Sequence, residues 1–383
     1  MTRTPHVAIL PGDGIGPEVI DSARAVLVEA GCACTFAAHA IGWAEWCERG
    51  EPLPRETLEG VRQADAALMG AITSKPEREA RAELAPDLRD AGLRYRSPIV
   101  RLRRELDLYA CLRPARSWEG VASVSPRTDI LTVRESTEGL YSGIEIDDVE
   151  PALAAMVHRE LASVRERTSG RVALSARVTT ERASRRIIRI ACERARMRAG
   201  ERGGPARVTV LEKPNILRAT GGVMLEAASA ASRDYPDVAI EIENIDAACM
   251  QVVMEPARYG VVVAENLFGD IFSDIAAGMS GGPGLAPSAN IGDGPALFEP
   301  VHGSAPDLAG RGIANPIAAI LSGAMLARHI GQPEVGARME RAVGRTLRDG
   351  AACERTPDLG GRGTTRTLTE AVLRNLWSND DKR

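Results

Sequence analysis

Leu10-Pro11-Gly12-Asp13-Gly14-Ile15-Gly16-Pro17-Glu18-Val19 is the stretch that decides the fold. An apolar run at 7–10, which reads as a buried strand, leads into it, and helical spacing from Glu18 to Ala30 follows. Glycines that close a strand and open a helix invite comparison with the dinucleotide fingerprint GxGxxG. The spacing differs, and no acidic residue ends a second strand about 20 positions on. A tight strand–helix turn is the simpler reading, with Asp13 pointing into a cleft. The expectation from this turn is a strand–helix junction without a standard Rossmann pyrophosphate site.

Outward from this turn, short apolar runs alternate with helical patterns. Residues 66–69 read as a second strand ending at Gly70, and 129–133, 208–211, 238–242 and 261–263 as further strands. Residues 99–112, with Leu102, Leu106 and Tyr109 at helical spacing, read as a helix, as do 180–198 and 315–329. Strands alternating with helices mark an α/β fold. The charged stretch 75–94 is expected to be an exposed loop, and 281–292, dense in Gly and Pro, a long functional loop.

The 383 residues are 44% hydrophobic and 26% charged, enough for two domains and ordinary for a soluble globular protein. Its 48 basic and 52 acidic residues are interspersed and aromatics are 3%, so neither a nucleic-acid arm nor a base-stacking platform is indicated. Seven cysteines without CxxC pairs suggest reduced thiols and a cytoplasmic location. The run at 7–10 is too short for a signal segment, and no apolar stretch is long enough to span a membrane.

Four groups of residues carry chemical promise. In 266–275 (NLFGDIFSDI), Asp270 and Asp274 stand four apart, so on a helix both carboxylates leave one face about a turn apart, beside Ile271 and Ile275, which can bury. Such paired charge suits a hard divalent cation, Mg²⁺ or Mn²⁺; the other reading is a solvated acidic face. Asp246 is a further carboxylate that follows a strand. Arg103 and Arg113 lie on or just after the 99–112 helix and Arg134 ends the 129–133 strand; guanidinium forks grip carboxylates. Lys213, one of only three lysines with Lys75 and Lys382, sits at a strand end, and lysine can give up a proton where arginine cannot. Lastly, 299–307 (EPVHGSAPD) offers backbone N–H groups to a phosphate and an acidic residue to a ribose diol.

Together these segments resemble the β-decarboxylating dehydrogenases: isocitrate, homoisocitrate, 3-isopropylmalate and tartrate/D-malate dehydrogenases. The resemblance runs from Val7 to about Leu376. Its motifs are LPGDGIGPEV (10–19), LRRELDLYACLRP (102–114), VRESTEGLYSG (133–143), KPNIL (213–217), IDAACMQ (245–251), NLFGDIFSDIAAG (266–278), GLAPSANIG (284–292) and EPVHGSAPDLAGRGIANP (299–316). It implies a two-domain α/β fold that is not Rossmann, with a discontinuous large domain, 1–98 plus 257–383, that binds the cofactor. A small domain, 99–256, would carry the substrate arginines and the dimer contacts. It also implies a homodimer with shared active sites, pairing into tetramers left open. Asp270 and Asp274 of one subunit would meet Asp246 and Lys213 of the other around one divalent ion.

By the same resemblance, Arg103, Arg113 and Arg134 hold the carboxylates of a 2-hydroxy di- or tricarboxylate. Oxidation at C2 passes a hydride to NAD, and the 3-carboxylate then leaves as CO₂. Lys213 takes the alcohol proton and Tyr141 returns a proton to C3. Asn215, Glu299, His302, Gly303, Ser304 and Asn315 match cofactor positions, with Asp358 nearby. Asp307 matches the position that meets the adenosine ribose, which favours NAD over NADP.

The C3 substituent is read from the residues before Arg103. Ser97 falls where isocitrate enzymes place a serine for a third carboxylate, whereas Ile99 and Val100 resemble an isopropylmalate pocket. Homoisocitrate enzymes usually have an arginine where Val100 stands, and Arg101 is the nearest substitute. The motifs at 103–109, 133–141 and 355–361 favour an acidic arm of the homoisocitrate or isocitrate type. The alternatives are 3-isopropylmalate, tartrate or D-malate, or a phosphonomethylmalate of secondary metabolism. Different classes are a non-catalytic regulatory subunit and a metal-independent Rossmann hydroxyacid dehydrogenase. Glu212 stands where histidine is usual, Cys111 where asparagine is, and Ala264 where threonine is, while Gly221 and Gly222 follow Thr220 where a polar or acidic residue normally precedes one glycine.

Overall fold

The computed structural model describes residues 3–160 and 172–377; Lys382 lies outside them. Ten strands make one sheet: β1 (His6–Leu10), β2 (Thr35–Ala38), β3 (Ala66–Met69), β4 (Ala110–Arg116), β5 (Asp129–Glu135), β8 (Ala206–Glu212), β9 (Val238–Asn244), β10 (Val261–Ala264), β11 (Pro287–Ile291) and β12 (Ala296–Pro300). Two short strands, β6 (Glu145–Ile146) and β7 (Leu174–Ser175), pair separately. The order across the large sheet is β2-β1-β3-β12-β11-β4-β5-β10-β8-β9.

The strands β2, β1, β3 and β12 are mutually parallel, as are β5, β10, β8 and β9. Between them, β11 and β4 pair antiparallel with each other and with their outer neighbours. The two parallel halves therefore run in opposite directions. Parallel strands need crossover connections that cover their faces, whereas antiparallel neighbours do not. The middle of the sheet can thus present long polar side chains to a cleft.

Amphipathic helices cover the halves. Gly16–Glu29 has Pro17 in its first turn and buries Val19, Ile20, Ala23, Val26 and Leu27, one stripe of helical period. It packs in one large core with Ile317–His329, Pro333–Asp349, Glu181–Arg202 and Arg218–Asp234. A second core, around Leu10, Met69, Leu102 and Leu297, fills the opposite face.

The GDG turn is a packing device. A Cβ on Gly14, at φ +57, would lie 2.0 Å from the Ser304 carbonyl oxygen, and one on Gly12 2.4 Å from that of Ala71. Asp13 does not face a cleft: its carboxylate accepts the Trp43 N–H at 2.6 Å and the Thr73 N–H at 2.8 Å.

Three local expectations change. Only Pro98–Glu105 of the 99–112 stretch is helical; Asp107, at φ 46, turns the chain, and Leu112 and Arg113 belong to β4. The expected loop 281–292 holds the 3₁₀ turn Pro283–Leu285 and then β11, a largely buried strand near the sheet's centre. Within 75–94, Glu77–Ala82 is a helix, and Ala80 and Leu84 bury against Trp46. A domain cut at 98/257 would pass through the sheet, because β10 lies between β5 and β8 of the middle segment.

Candidate active site

The helix Asn266–Ser280 organises the site. Glu265 caps it, accepting the Phe268 N–H at 3.0 Å. Phe272, Ala276 and Met279 bury against Ile130, Leu211 and Val262. Asp270 and Asp274 leave another face, as their spacing dictates; Ile271, expected to bury, is 46% exposed.

Asp270 is a junction. Its Oδ1 accepts from Arg113 Nη1 at 2.9 Å and from Arg134 Nη1, and its Oδ2 accepts the Tyr141 hydroxyl at 2.5 Å. Arg134 is nearly inaccessible and also donates to Asn266 Oδ1 from Nε (3.0 Å) and Nη2 (2.7 Å). Arg113 donates as well to Ser273 Oγ (2.9 Å) and Asp274 Oδ1 (3.3 Å). Arg103 donates to Asn290 Oδ1 (2.9 Å) and pairs with Glu299 Oε1 (3.0 Å).

Charge follows from this crowding. Burial and the Arg113 and Arg103 charges pull Arg134 down to about 10. Burial pulls the Asp270 carboxyl up, but Arg134 and Arg113 outweigh it and hold it below the usual carboxylate range. Burial raises Asp274 despite Arg113, and burial with the Asp270 hydrogen bond raises the Tyr141 phenol. The centre thus gathers three guanidiniums, Arg103, Arg113 and Arg134, against three carboxylates, Asp270, Asp274 and Glu299, and guanidinium forks can grip an anionic substrate.

The aspartate face continues into a cavity of about 730 Å³ lined by Asp274, Gly278, His302, Gly303, Asn315 and Asp358 among others. Asn315 donates to Asp358 at 2.8 Å, and a Cβ on Gly284 would meet both. His302 Nδ1 lies 3.0 Å from the Gly303 carbonyl, while its buried Nε2 has no hydrogen-bond partner among the described residues. An unsatisfied ring nitrogen beside small residues and a carboxylate fits the amine edge of an adenine and its ribose.

The other expected cofactor residues, Glu299, Ser304, Asp307 and Asn215, are not among the residues that line this cavity. Glu299 supports Arg103, and Ser304 Oγ pairs with Thr73 at 2.7 Å. Asp307 is exposed next to Leu308, a lining residue. Asn215 is exposed beside Lys213, at the other half of the sheet. Ser97 is half-buried just before the helix Pro98–Glu105.

Lys213 and Asp246 form their own pair, Nζ to Oδ1 2.5 Å, beyond the ends of β8 and β9. Three inter-strand steps separate β9 from β5, roughly 14 Å at 4.8 Å each. Among the described residues, no three His, Cys, Asp or Glu gather as a metal cage within the chain. Lys213 holds Asp246 below the usual carboxylate range.

Sequence reasoning missed Asn266, Ser273 and Asn290, which hold the arginines, and Gly278, which opens the cavity. Gly278 stands four after Asp274, so helical spacing could have found it. Asn290 has no such signal, because the Gly- and Pro-rich composition around its strand reads as a loop. Among the described residues, no helix is long and apolar enough to cross a membrane.

Comparison with known proteins agrees with this geometry. The family model described as isocitrate/isopropylmalate dehydrogenase matches residues 6–372. The chain is 43% identical to the isocitrate/homoisocitrate dehydrogenase of Thermus thermophilus, covering 97% of this chain and 99% of the relative. It is 40% identical to the 3-isopropylmalate dehydrogenase of Archaeoglobus fulgidus, covering 96% and 98%. The crystal structure of isocitrate dehydrogenase from Methylococcus capsulatus superposes with a TM-score of 0.83 at 39% identity, over 97% of this chain and 99% of that one. The chain therefore belongs to the isocitrate/isopropylmalate dehydrogenase family and is a β-decarboxylating dehydrogenase, an oxidoreductase.

Proposed function

We propose that the protein oxidises and decarboxylates a 3-substituted malate, with NAD as hydride acceptor and Mg²⁺ or Mn²⁺ bound at the aspartates. The observation that carries this is the junction at Asp270, where two guanidiniums and a phenol meet a carboxylate, one helical turn before Asp274, which lines the cavity of about 730 Å³. When bound, the cation polarises the C2 oxygen and the nicotinamide accepts the hydride. Arg113, Arg134 and Arg103 orient the substrate carboxylates, and Tyr141 delivers a proton to C3. Lys213 receives the alcohol proton.

In this reading Lys213 and Asp246 serve the site of a second copy. Apolar side chains are exposed around them: Ile216, Ile242, Met250, Val253 and Met254, with Ile271 on the aspartate helix. A patch of that kind on an edge strand and its neighbouring helix suits burial against another subunit. Asp307 favours NAD over NADP by accepting from the ribose hydroxyls.

For the C3 arm, Ser97 supports an acidic group of the isocitrate or homoisocitrate type. A second reading, an apolar arm, gains from two observations. Arg101 pairs with Glu51 at 2.5 Å, from a helix position about 200° away from Arg103. Val100, at i−3 from Arg103, stands on the Arg103 side.

The test is NADH formation from isocitrate, homoisocitrate, 3-isopropylmalate, D-malate and phosphonomethylmalate, with Mg²⁺ or Mn²⁺ and in chelator. Best turnover on isocitrate, homoisocitrate or phosphonomethylmalate supports the acidic arm; best turnover on 3-isopropylmalate replaces it with the apolar one. Full activity in chelator removes the metal from the reading. No turnover of any acid would make the chain a non-catalytic partner subunit.

A further inference from the structure

We infer that Arg177 and Glu212 are positioning residues for Lys213, a role that rests on Lys213 acting as proposed above. Glu212 ends β8 and is completely inaccessible to solvent. Its carboxylate is gripped by one guanidinium: Arg177 Nη2 lies 2.8 Å from Oε2, and Nη1 lies 3.2 Å from Oε1. Arg177 also donates to Thr220 Oγ1 at 3.4 Å. The same Glu212 Oε1 accepts the Lys213 backbone N–H at 2.8 Å. The pair therefore fixes the first peptide group of the segment that carries the Lys213 amine to Asp246.

Gly221 leaves room for this arrangement. A Cβ there would lie 3.2 Å from Glu212 Cγ and 3.3 Å from Cδ. Glu212, Thr220 and Gly221 stood out separately in the sequence; in space they are one unit around Arg177.

Arg177 is itself rigidly placed. Its guanidinium lies over the Phe268 ring at 5.0 Å, and its Nε is 3.8 Å from the Glu265 carboxylate that caps the aspartate helix. The next residue, Val178, bridges to Gly139 by backbone hydrogen bonds at 2.9 and 3.3 Å, two residues before Tyr141. A planar fork shared between two buried carboxylates and an aromatic face has little rotational freedom.

The experiment uses the full chain and five variants, with kcat, KM, unfolding temperature and acylation of Lys213 relative to Lys75 by a small anhydride as readouts. Arg177→Met should lower kcat at least about tenfold, keep KM for substrate and NAD within about twofold, and change the Lys213/Lys75 labelling ratio at least about threefold. Removing one member leaves a buried charge unpaired and also costs stability, so two double variants separate the roles. Arg177→Met with Glu212→Gln keeps an oxygen for the Lys213 N–H and should regain both stability and kcat. Arg177→Met with Glu212→Met removes that oxygen and should regain stability while kcat stays low. Recovery of kcat in the Met/Met double, or wild-type kcat and labelling in Arg177→Met, would overturn the inference. If the Arg177→Met chain does not fold, Arg177→Lys, which cannot make the two-pronged contact, carries the same comparison. Lys213→Met tests the underlying reading by itself: unchanged turnover there would remove Lys213 from the reaction, whereas the labelling ratio would still decide whether Arg177 places it.

Discussion

The middle of the sheet and its β9 edge differ in how far each satisfies its own charges. At the middle, Asp270 has both oxygens engaged, by Arg113, Arg134 and Tyr141, and Arg134 is sealed from solvent. At the edge, Asp246 has a side chain 67% exposed and, among the described residues, a single ionic partner, Lys213, amid uncovered apolar residues. In the proposed reading, the middle supplies the substrate cradle, and the edge supplies a proton acceptor and a further carboxylate. Under that proposal a complete site takes the two regions from different copies of the chain.

Breaking either region should abolish turnover, with different collateral effects. Asp270→Asn should lower kcat/KM by about 10³-fold or more, because Arg113 and Arg134 lose the carboxylate that aims them. It should also cost about 3 kcal/mol of stability by leaving buried guanidinium charge unpaired. Lys213→Met should be as inactive and leave the unfolding temperature nearly unchanged. Equal destabilisation by the two variants in a melting experiment would erase the distinction between centre and edge.

Mixing those two inactive proteins, after dissociation and reassociation, sharpens the comparison further. With shared sites, half the dimers are mixed and each has one site free of both substitutions, so about a quarter of wild-type activity returns. With sites built from one chain, none returns. Sedimentation of the same mixture checks that dimers formed.

The two regions also differed in how plainly the sequence announced them. Lys213 and Asp246 sit at strand ends, and both strands were legible as short apolar runs. Asp270 and Asp274 declared themselves by helical spacing. The arginine cradle was harder. Arg113 and Leu112 continue a pattern that reads as helix, and only the turn at Asp107 moves them into a strand. β11 was hidden because a strand near the crowded sheet centre uses small residues and Asn290, a composition otherwise typical of loops. Pairings such as Arg103 with Glu299 join residues far apart in the chain, and no local pattern encodes them.

A third, smaller effect probes the wall of the centre's cavity. Gly14→Ala places a Cβ against the Ser304 carbonyl at a φ of +57, so the loop must shift. The expected cost is about 1–3 kcal/mol, with a raised KM for NAD and little change in the Lys213/Lys75 labelling ratio. A changed ratio would mean that the wall and the edge are coupled within one chain.

The smallest effect is a pH dependence on the same wall. Burial holds the His302 imidazole below the usual histidine value, outweighing its backbone contact with Gly303 and the Asp358 charge. The unfolded chain therefore takes up a proton at a higher pH than the folded chain does, and this contribution to stability is lost as pH falls below about 6.5. Glu135 and Glu265 oppose it, since burial raises their carboxyls and makes the folded chain the better proton binder as pH falls. The difference between wild type and His302→Asn isolates the imidazole from these opposing groups. Melting temperatures taken between about pH 7 and pH 5 should fall more steeply for the wild type than for the variant. Parallel curves would show that His302 is not held neutral, and its bare nitrogen would then be no acceptor for the cofactor's amine.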